Sequence, residues 1–216
     1  MLQKMADFFE ARLDMYDNHM KNDIEGAKEF YPFTAECLTK TSGATVLDLG
    51  CGTGLELEEY FKLNPTAEIT GVDLSGGMLK VLSEKFSDKN LTLIEGSYFD
   101  VPFGENKFDS AVSVESLHHF TKEQKLPLYE RLCKSLKADG YFILTDYFAP
   151  DDEYEKFYRN ELIRLKNEQG IADNEFYHYD TPLTVQHETE ALLEAGFRTV
   201  KVLNSWENTY TIRAEK

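Results

Sequence analysis

The residues Asp48-Leu49-Gly50-Cys51-Gly52-Thr53-Gly54 put glycine at alternate positions directly after an apolar run. Glycine there lets the chain turn sharply and lets a ligand lie against bare backbone. A helix opening near Leu55 would then aim its free amide N–H groups at that ligand. The spacing is GxGxG, not the GxGxxG of dinucleotide-binding turns. A carboxylate at Asp48 sits badly beside a pyrophosphate but well beside an ammonium or a sulfonium. The pattern therefore favours a cationic, amino-acid-bearing cofactor over a nicotinamide dinucleotide. A second acid, Asp73, ends the next apolar run, about twenty residues beyond the glycines, where a carboxylate can accept both hydroxyls of a ribose. Ser75 is the better candidate for capping the helix that follows. Further on, His118 and His119 follow a strand-like run, and Asp146 and Tyr147 end the next one.

These groups need a frame that gathers them at one edge. Residues 44–49, 67–73, 91–95, 108–114 and 141–147 read as strands, with helical spacing in 55–63, 76–86 and 122–136 between them. Asp139-Gly140 reads as a turn ahead of the strand 141–147. Such alternation implies parallel pairing through right-handed crossovers, hence an open sheet with helices on both faces. Ligands bind such sheets outside the carboxyl ends of the strands. Residues 184–195 read as a helix stopped by Gly196, and 197–203 and 208–214 as a closing hairpin, which reverses one strand. The expected fold is α/β: a doubly wound, mostly parallel seven-stranded sheet with one antiparallel strand. The chain is expected to form a single domain over 1–216, with helical additions at 1–40 and 151–180.

The strings VLDLGCGTG, ITGVDLSGGML, FDSAVSVESLHHF and LKADGYFILTDY, in this order, resemble the class I S-adenosylmethionine-dependent methyltransferase family, in particular its small-molecule branch. The resemblance covers 44–147 motif by motif and 184–214 more loosely. It implies the Rossmann-like methyltransferase fold and S-adenosylmethionine as cofactor. It implies that the loop Gly50-Cys51-Gly52 passes under the cofactor's amino-acid end, with Asp48 near the ammonium. Asp73 would hold the ribose, Leu74 and Met78 would pack on the adenine, and Val114 and Glu115 would line the methionine arm. The family usually has Gly-Asp-Ala after the third strand. Here Gly96-Ser97-Tyr98 stands instead, so the adenine contact falls to the Ser97 hydroxyl or to backbone at Tyr98. Tyr16 and His19 are the candidates for closing over the cofactor from an N-terminal lid, or they belong to a plain amphipathic helix. His119 and Tyr147 are the catalytic candidates, with Tyr147 also readable as an aromatic pocket wall. In-line transfer from a sulfonium needs mainly positioning and exclusion of water, and a base only where the nucleophile must lose a proton.

Insertions after the fifth strand cover the substrate in this family, which makes 151–180 a candidate cap. Its stretch Phe176-Tyr177-His178-Tyr179-Asp180 could surround a cation or stack on a ring, or form a satellite core. The net charge of −16 over 216 residues repels a phosphate backbone, so nucleic acid is a poor fit as substrate and a small molecule a better one. The three cysteines include no CxxC pair, so they imply neither a disulfide framework nor a zinc site. No metal is expected. No apolar run approaches a membrane span, and a cytoplasmic monomer or homodimer is expected. The rival functions are a nucleotide-dependent oxidoreductase and a non-catalytic S-adenosylmethionine-binding protein.

Overall fold

A computed structural model describes residues 1–172 and 175–216. Asp173 and Asn174, inside the candidate cap 151–180, lie outside the described residues. The frame is a seven-stranded sheet built from β1 (Thr45–Leu49), β2 (Glu68–Asp73), β3 (Asn90–Glu95), β4 (Phe108–Val114), β5 (Leu136–Tyr147), β6 (Thr199–Trp206) and β7 (Thr209–Glu215). Their order is β3-β2-β1-β4-β5-β7-β6. β1 to β5 pair in parallel, and β7 runs antiparallel between β5 and β6. The strand order therefore reverses between β1 and β4, and this switch point is where such a sheet takes its ligand.

The central strands are apolar on both sides because both faces are covered. In β1, Val46 packs into one core cluster, while Leu47 and Leu49 pack into the other. The helices α4 (Leu55–Leu63), α5 (Gly76–Lys85), α6 (Lys122–Ser135) and α8 (Val185–Glu194) fill the crossovers, and α7 (Asp152–Gln169) is the added helix after β5. Thr121 opens α6 with a capping box to Gln124, the arrangement that closes two free amides at once.

Two expectations change. Asp139-Gly140 does not precede β5 but lies within it. The β4–β5 register jumps from Phe108↔Leu136 to Ser110↔Tyr141, so the extra β5 residues bulge out of the ladder. A Cβ on Gly140 would lie 2.9 Å from the Lys137 carbonyl oxygen, which is why the bulge carries glycine. The N-terminal region 1–40 also divides. The helices α1 (Met5–Glu10) and α2 (Leu13–Asn22) lie over the switch point, but α3 (Ala27–Cys37) belongs to the core layer. Phe30 and Ala35 of α3 are fully buried, and Thr34 Oγ1 meets Thr145 Oγ1 of β5 at 2.5 Å. Of the three N-terminal helices, α1 and α2 supply the residues that line the spaces over the sheet edge.

Candidate active site

The glycine loop between β1 and α4 adopts the left-handed region at Gly50, Gly52 and Gly54, with φ of 73°, 47° and 75°. Its amides at Gly50 and Cys51 donate to the Val72 carbonyl at 2.8 and 3.3 Å, which ties the loop to the end of β2. A Cβ on Gly50 would fall 2.1 Å from Ser116 Oγ. Only a bare backbone fits there.

Asp73 closes β2 as a receiver of amides. Its two carboxylate oxygens accept from Gly52 N and Ser75 N, each at 2.9 Å. Burial raises its pKa, and the amides of Ser75, Gly52 and Leu74 partly reverse that. Ser75 caps α5 through its hydroxyl, as its position after Asp73 suggests.

Beneath the loop lie two carboxyls, Asp48 and Glu56, both buried. Neither oxygen of Asp48 has a hydrogen-bond partner, nor does Oε1 of Glu56. Burial first, and then the neighbouring Glu56 carboxyl, pushes Asp48 well above the ordinary carboxylate range; burial raises Glu56 as well. Unsatisfied buried carboxyls are costly unless a cation or donor meets them. The ammonium of an amino-acid-bearing cofactor is such a group, so the residues present fit S-adenosylmethionine.

Above Gly50, Gly52 and Asp73 is a narrow space of about 50 Å³, walled by Leu74, Met78, Tyr98 and, from the lid, Met5, Phe9 and Tyr16. It adjoins a chamber of about 760 Å³ under α1 and α2. Phe9, Tyr16, Glu115 and His119 line both. A small-molecule site spans roughly 300–1,000 Å³, so the chamber is of ligand size and the space over Asp73 is pinched by the lid. The lid is latched: Glu10 Oε2 accepts from Ser75 Oγ at 2.6 Å, Asp17 takes Thr53 Oγ1 at 2.5 Å and Lys85 Nζ at 2.9 Å, and Lys21 reaches Glu58 at 2.6 Å.

The far wall of the chamber is the turn after β4, with Glu115, His118 and His119, together with His178 and Asp180 of the strap 175–181. His118 and His119 sit in a short 3-10 turn, Leu117–His119. His118 Nδ1 donates to Asp146 Oδ1 at 2.6 Å, and Asp146 Oδ2 accepts from Leu117 N at 2.9 Å. Burial opposes a charge on His118, but the Asp146 carboxylate overrides it and lifts the pKa to about 9. Burial and the adjacent His118 lower His119. Burial raises Glu115 to about 7 and drops His178 to about 4. His178 stacks on Phe8 of the lid, with ring centroids 3.4 Å apart.

Of the residues singled out in the sequence, Tyr16, Gly50, Gly52, Asp73, Leu74, Met78, Tyr98, Glu115 and His119 meet around the narrow space. Asp48 lies buried under it. Cys51 turns away, its Sγ 2.7 Å from where a Gly71 Cβ would be. Ser97 Oγ accepts from Phe99 N at 3.1 Å, and Val114 packs in the core. His19 lines the chamber and not the narrow space, with Nδ1 3.0 Å from Asp23 Oδ2. Tyr147 lines neither space; its hydroxyl bonds Tyr154 of α7 at 2.8 Å. The sequence reading missed Glu56, Met5, Phe9 and Ser116. Glu56 had one signal, an acid in the first turn of α4; the lid residues had none beyond apolar character.

The methyltransferase-domain family matches residues 46–140, which span β1 to the bulge in β5. The methyltransferase YcgJ of Bacillus subtilis is 30% identical over 147 residues, 65% of this chain and 54% of its own length. The ubiquinone/menaquinone biosynthesis C-methyltransferase UbiE of Pseudomonas aeruginosa is 26% identical over 220 residues, 94% of this chain and 84% of its own. The human N-acetylserotonin methyltransferase, solved with SAM, superposes with a TM-score of 0.64 at 21% identity, covering 98% of this chain and 55% of that one. The chain thus spans about half the length of the Bacillus and human proteins. Residues 46–140 are thus similar to a methyltransferase domain, and the glycine loop at the switch point of this strand order is similar to that of the class I S-adenosylmethionine-dependent methyltransferases.

Proposed function

We propose that the protein moves a methyl group from S-adenosylmethionine to a small molecule held in the chamber beneath α1 and α2. The observation that carries this is the pair of buried, unpartnered carboxyls Asp48 and Glu56 under the glycine loop, a cation site with no use for a pyrophosphate. Asp48 and Glu56 would hold the ammonium, the backbone of Gly50 and Gly52 the amino-acid arm, Asp73 the ribose hydroxyls, and Leu74, Met78 and Tyr98 the adenine. Bound there, the cofactor supplies a methyl group on a positively charged sulfur, open to in-line attack. The protein's own part is to hold the acceptor in line and keep water out. Met5, Phe9 and Tyr16 of the lid cover the site and exclude water. His119 stands on the wall common to both spaces, where the methyl must cross, and touches the acceptor. Tyr147 acts from behind, its ring edge-on to His118 at 6.1 Å between centroids.

Relatives are named both for small acceptors, in quinone biosynthesis and in N-acetylserotonin methylation, and for a tRNA uridine; the charge of −16, which disfavours polynucleotides, supports the small acceptor here. Among the described residues no helix is long and apolar enough to cross a membrane. The three cysteines are free, which suits a reducing compartment such as the cytoplasm. Titration calorimetry with S-adenosylmethionine, S-adenosylhomocysteine and NAD tests the reading. Binding of the first two and not of NAD is expected, and the reverse pattern overturns it in favour of an oxidoreductase.

A further inference from the structure

His118, His119 and Asp180 converge on the chamber wall from two distant parts of the chain. His118 Nε2 lies 3.6 Å from Asp180 Oδ1, and His119 Nδ1 lies 3.0 Å from the same oxygen. One donor atom from each side chain falls within 4.8 Å of the others. Ligands about 2.0–2.1 Å from a tetrahedral ion stand about 3.3 Å apart, and the two measured edges bracket that value. His119 is 6% exposed, and neither its Nδ1 nor Asp180 Oδ1 has a hydrogen-bond partner. The two buried atoms thus meet each other and no third group within hydrogen-bond reach, at a separation that a shared cation can bridge. The bond from His118 Nδ1 to Asp146 turns Nε2 toward the cluster, where a bound ion would take the place of the Nε2 proton. Carboxylate–histidine–metal sites are oriented in this way.

We propose that His118 Nε2, His119 Nδ1 and Asp180 Oδ1 bind a divalent transition-metal ion of the zinc class. Two imidazoles and one carboxylate suit zinc, cobalt or nickel rather than magnesium or calcium. The other grouping of acids with this imidazole, Glu115, His118 and Asp146, does not serve. There Nδ1 and Asp146 Oδ1 are 2.6 Å apart, too close for separate ligands of one ion. Three protein ligands leave one position open, and all three line the chamber. The ion's bearing on the acceptor rests on the methyltransferase reading; its binding does not. An acceptor hydroxyl or thiol taken at the open position gives up its proton to solvent more readily, which narrows the acceptor to molecules carrying such a group.

The test is a titration of the metal-free, full-length protein with Co2+, followed by visible absorption and then displacement by Zn2+. One equivalent with the intense bands of a tetrahedral site is expected, with affinity at least tenfold weaker in Asp180→Asn and in His119→Gln. Binding that is absent, or undiminished in both variants, overturns the proposal. X-ray absorption of the Zn2+-loaded unaltered protein decides independently of any variant: scattering from two imidazoles supports the site, and its absence refutes it. S-adenosylhomocysteine affinity measured alongside separates the two readings, since its loss bears on the methyltransferase assignment and leaves the metal titration intact.

Discussion

The two halves of the site are built differently. The cofactor half is made of strand ends and one glycine loop, held by backbone hydrogen bonds within the sheet, such as Gly50 N and Cys51 N to Val72 O. The acceptor half is made of α1, α2 and the strap 175–181, held by side-chain latches and ring contacts. A sheet edge fixes atoms to a few tenths of an ångström and demands particular residues. A latched lid tolerates many sequences and moves. The difference teaches where recognition is rigid and where it is adaptable.

Substitutions can break that division or sharpen it. The largest effect is expected from Gly50→Ala, which places a Cβ against Ser116 Oγ at a left-handed φ. Strain of this kind costs about 1–3 kcal/mol, and calorimetry should show S-adenosylmethionine affinity down on the order of a hundredfold. Asp73→Ala comes next, with affinity at least tenfold lower, on the order of one charge-assisted hydrogen bond, and with an unchanged circular dichroism spectrum. Unchanged affinity would remove Asp73 from the ribose.

Asp48→Asn should weaken the cofactor by several-fold, about 1 kcal/mol, while raising the melting temperature of the free protein above neutral pH. The sign follows from the raised pKa of Asp48. A carboxyl raised on folding contributes its full stability below its unfolded value, about 3.9, and loses it as pH climbs through the folded value. The wild type should therefore lose stability with rising pH more steeply than Asp48→Asn, and parallel melting curves would contradict the burial argument. The smallest effect belongs to the lid. Asp17→Ala removes the partner of Thr53 and Lys85 at a partly exposed site, worth up to about 1 kcal/mol. Proteolysis near Arg12 should quicken while cofactor affinity falls less than about threefold. A loss matching that of Asp73→Ala would erase the distinction between the halves.

The same contrast decides what could be read from the residues alone. The strands and the meeting of Gly50, Gly52 and Asp73 at one edge were legible because period-two or continuous apolar runs and short-range glycine spacing are local signals. The β5 bulge was not, since Asp139-Gly140 has the chemistry of a turn and only pairing with β4 keeps the strand running. Glu56 was missed because its burial near Asp48 depends on how α4 leaves the loop. In the acceptor half, the meeting of His119 with Asp180 and of Phe8 with His178 is a product of tertiary packing that no spacing encodes. Tyr147 was singled out for its place at a strand end, yet Tyr154 of the added helix draws its hydroxyl aside.

One small feature governs how the site must be used. The lid and the strap are joined in a short antiparallel ladder: Lys4 bridges Tyr177, Met5 N donates to Phe176 O at 3.1 Å, and His178 N donates to Gln3 O at 3.0 Å. Two stretches far apart in the chain are therefore joined along one edge. The space over Asp73 and the chamber share the wall of Phe9, Tyr16, Glu115 and His119. On the proposed reading, an acceptor lodged in the chamber would crowd the cofactor across that common wall, and each would feel the other's arrival.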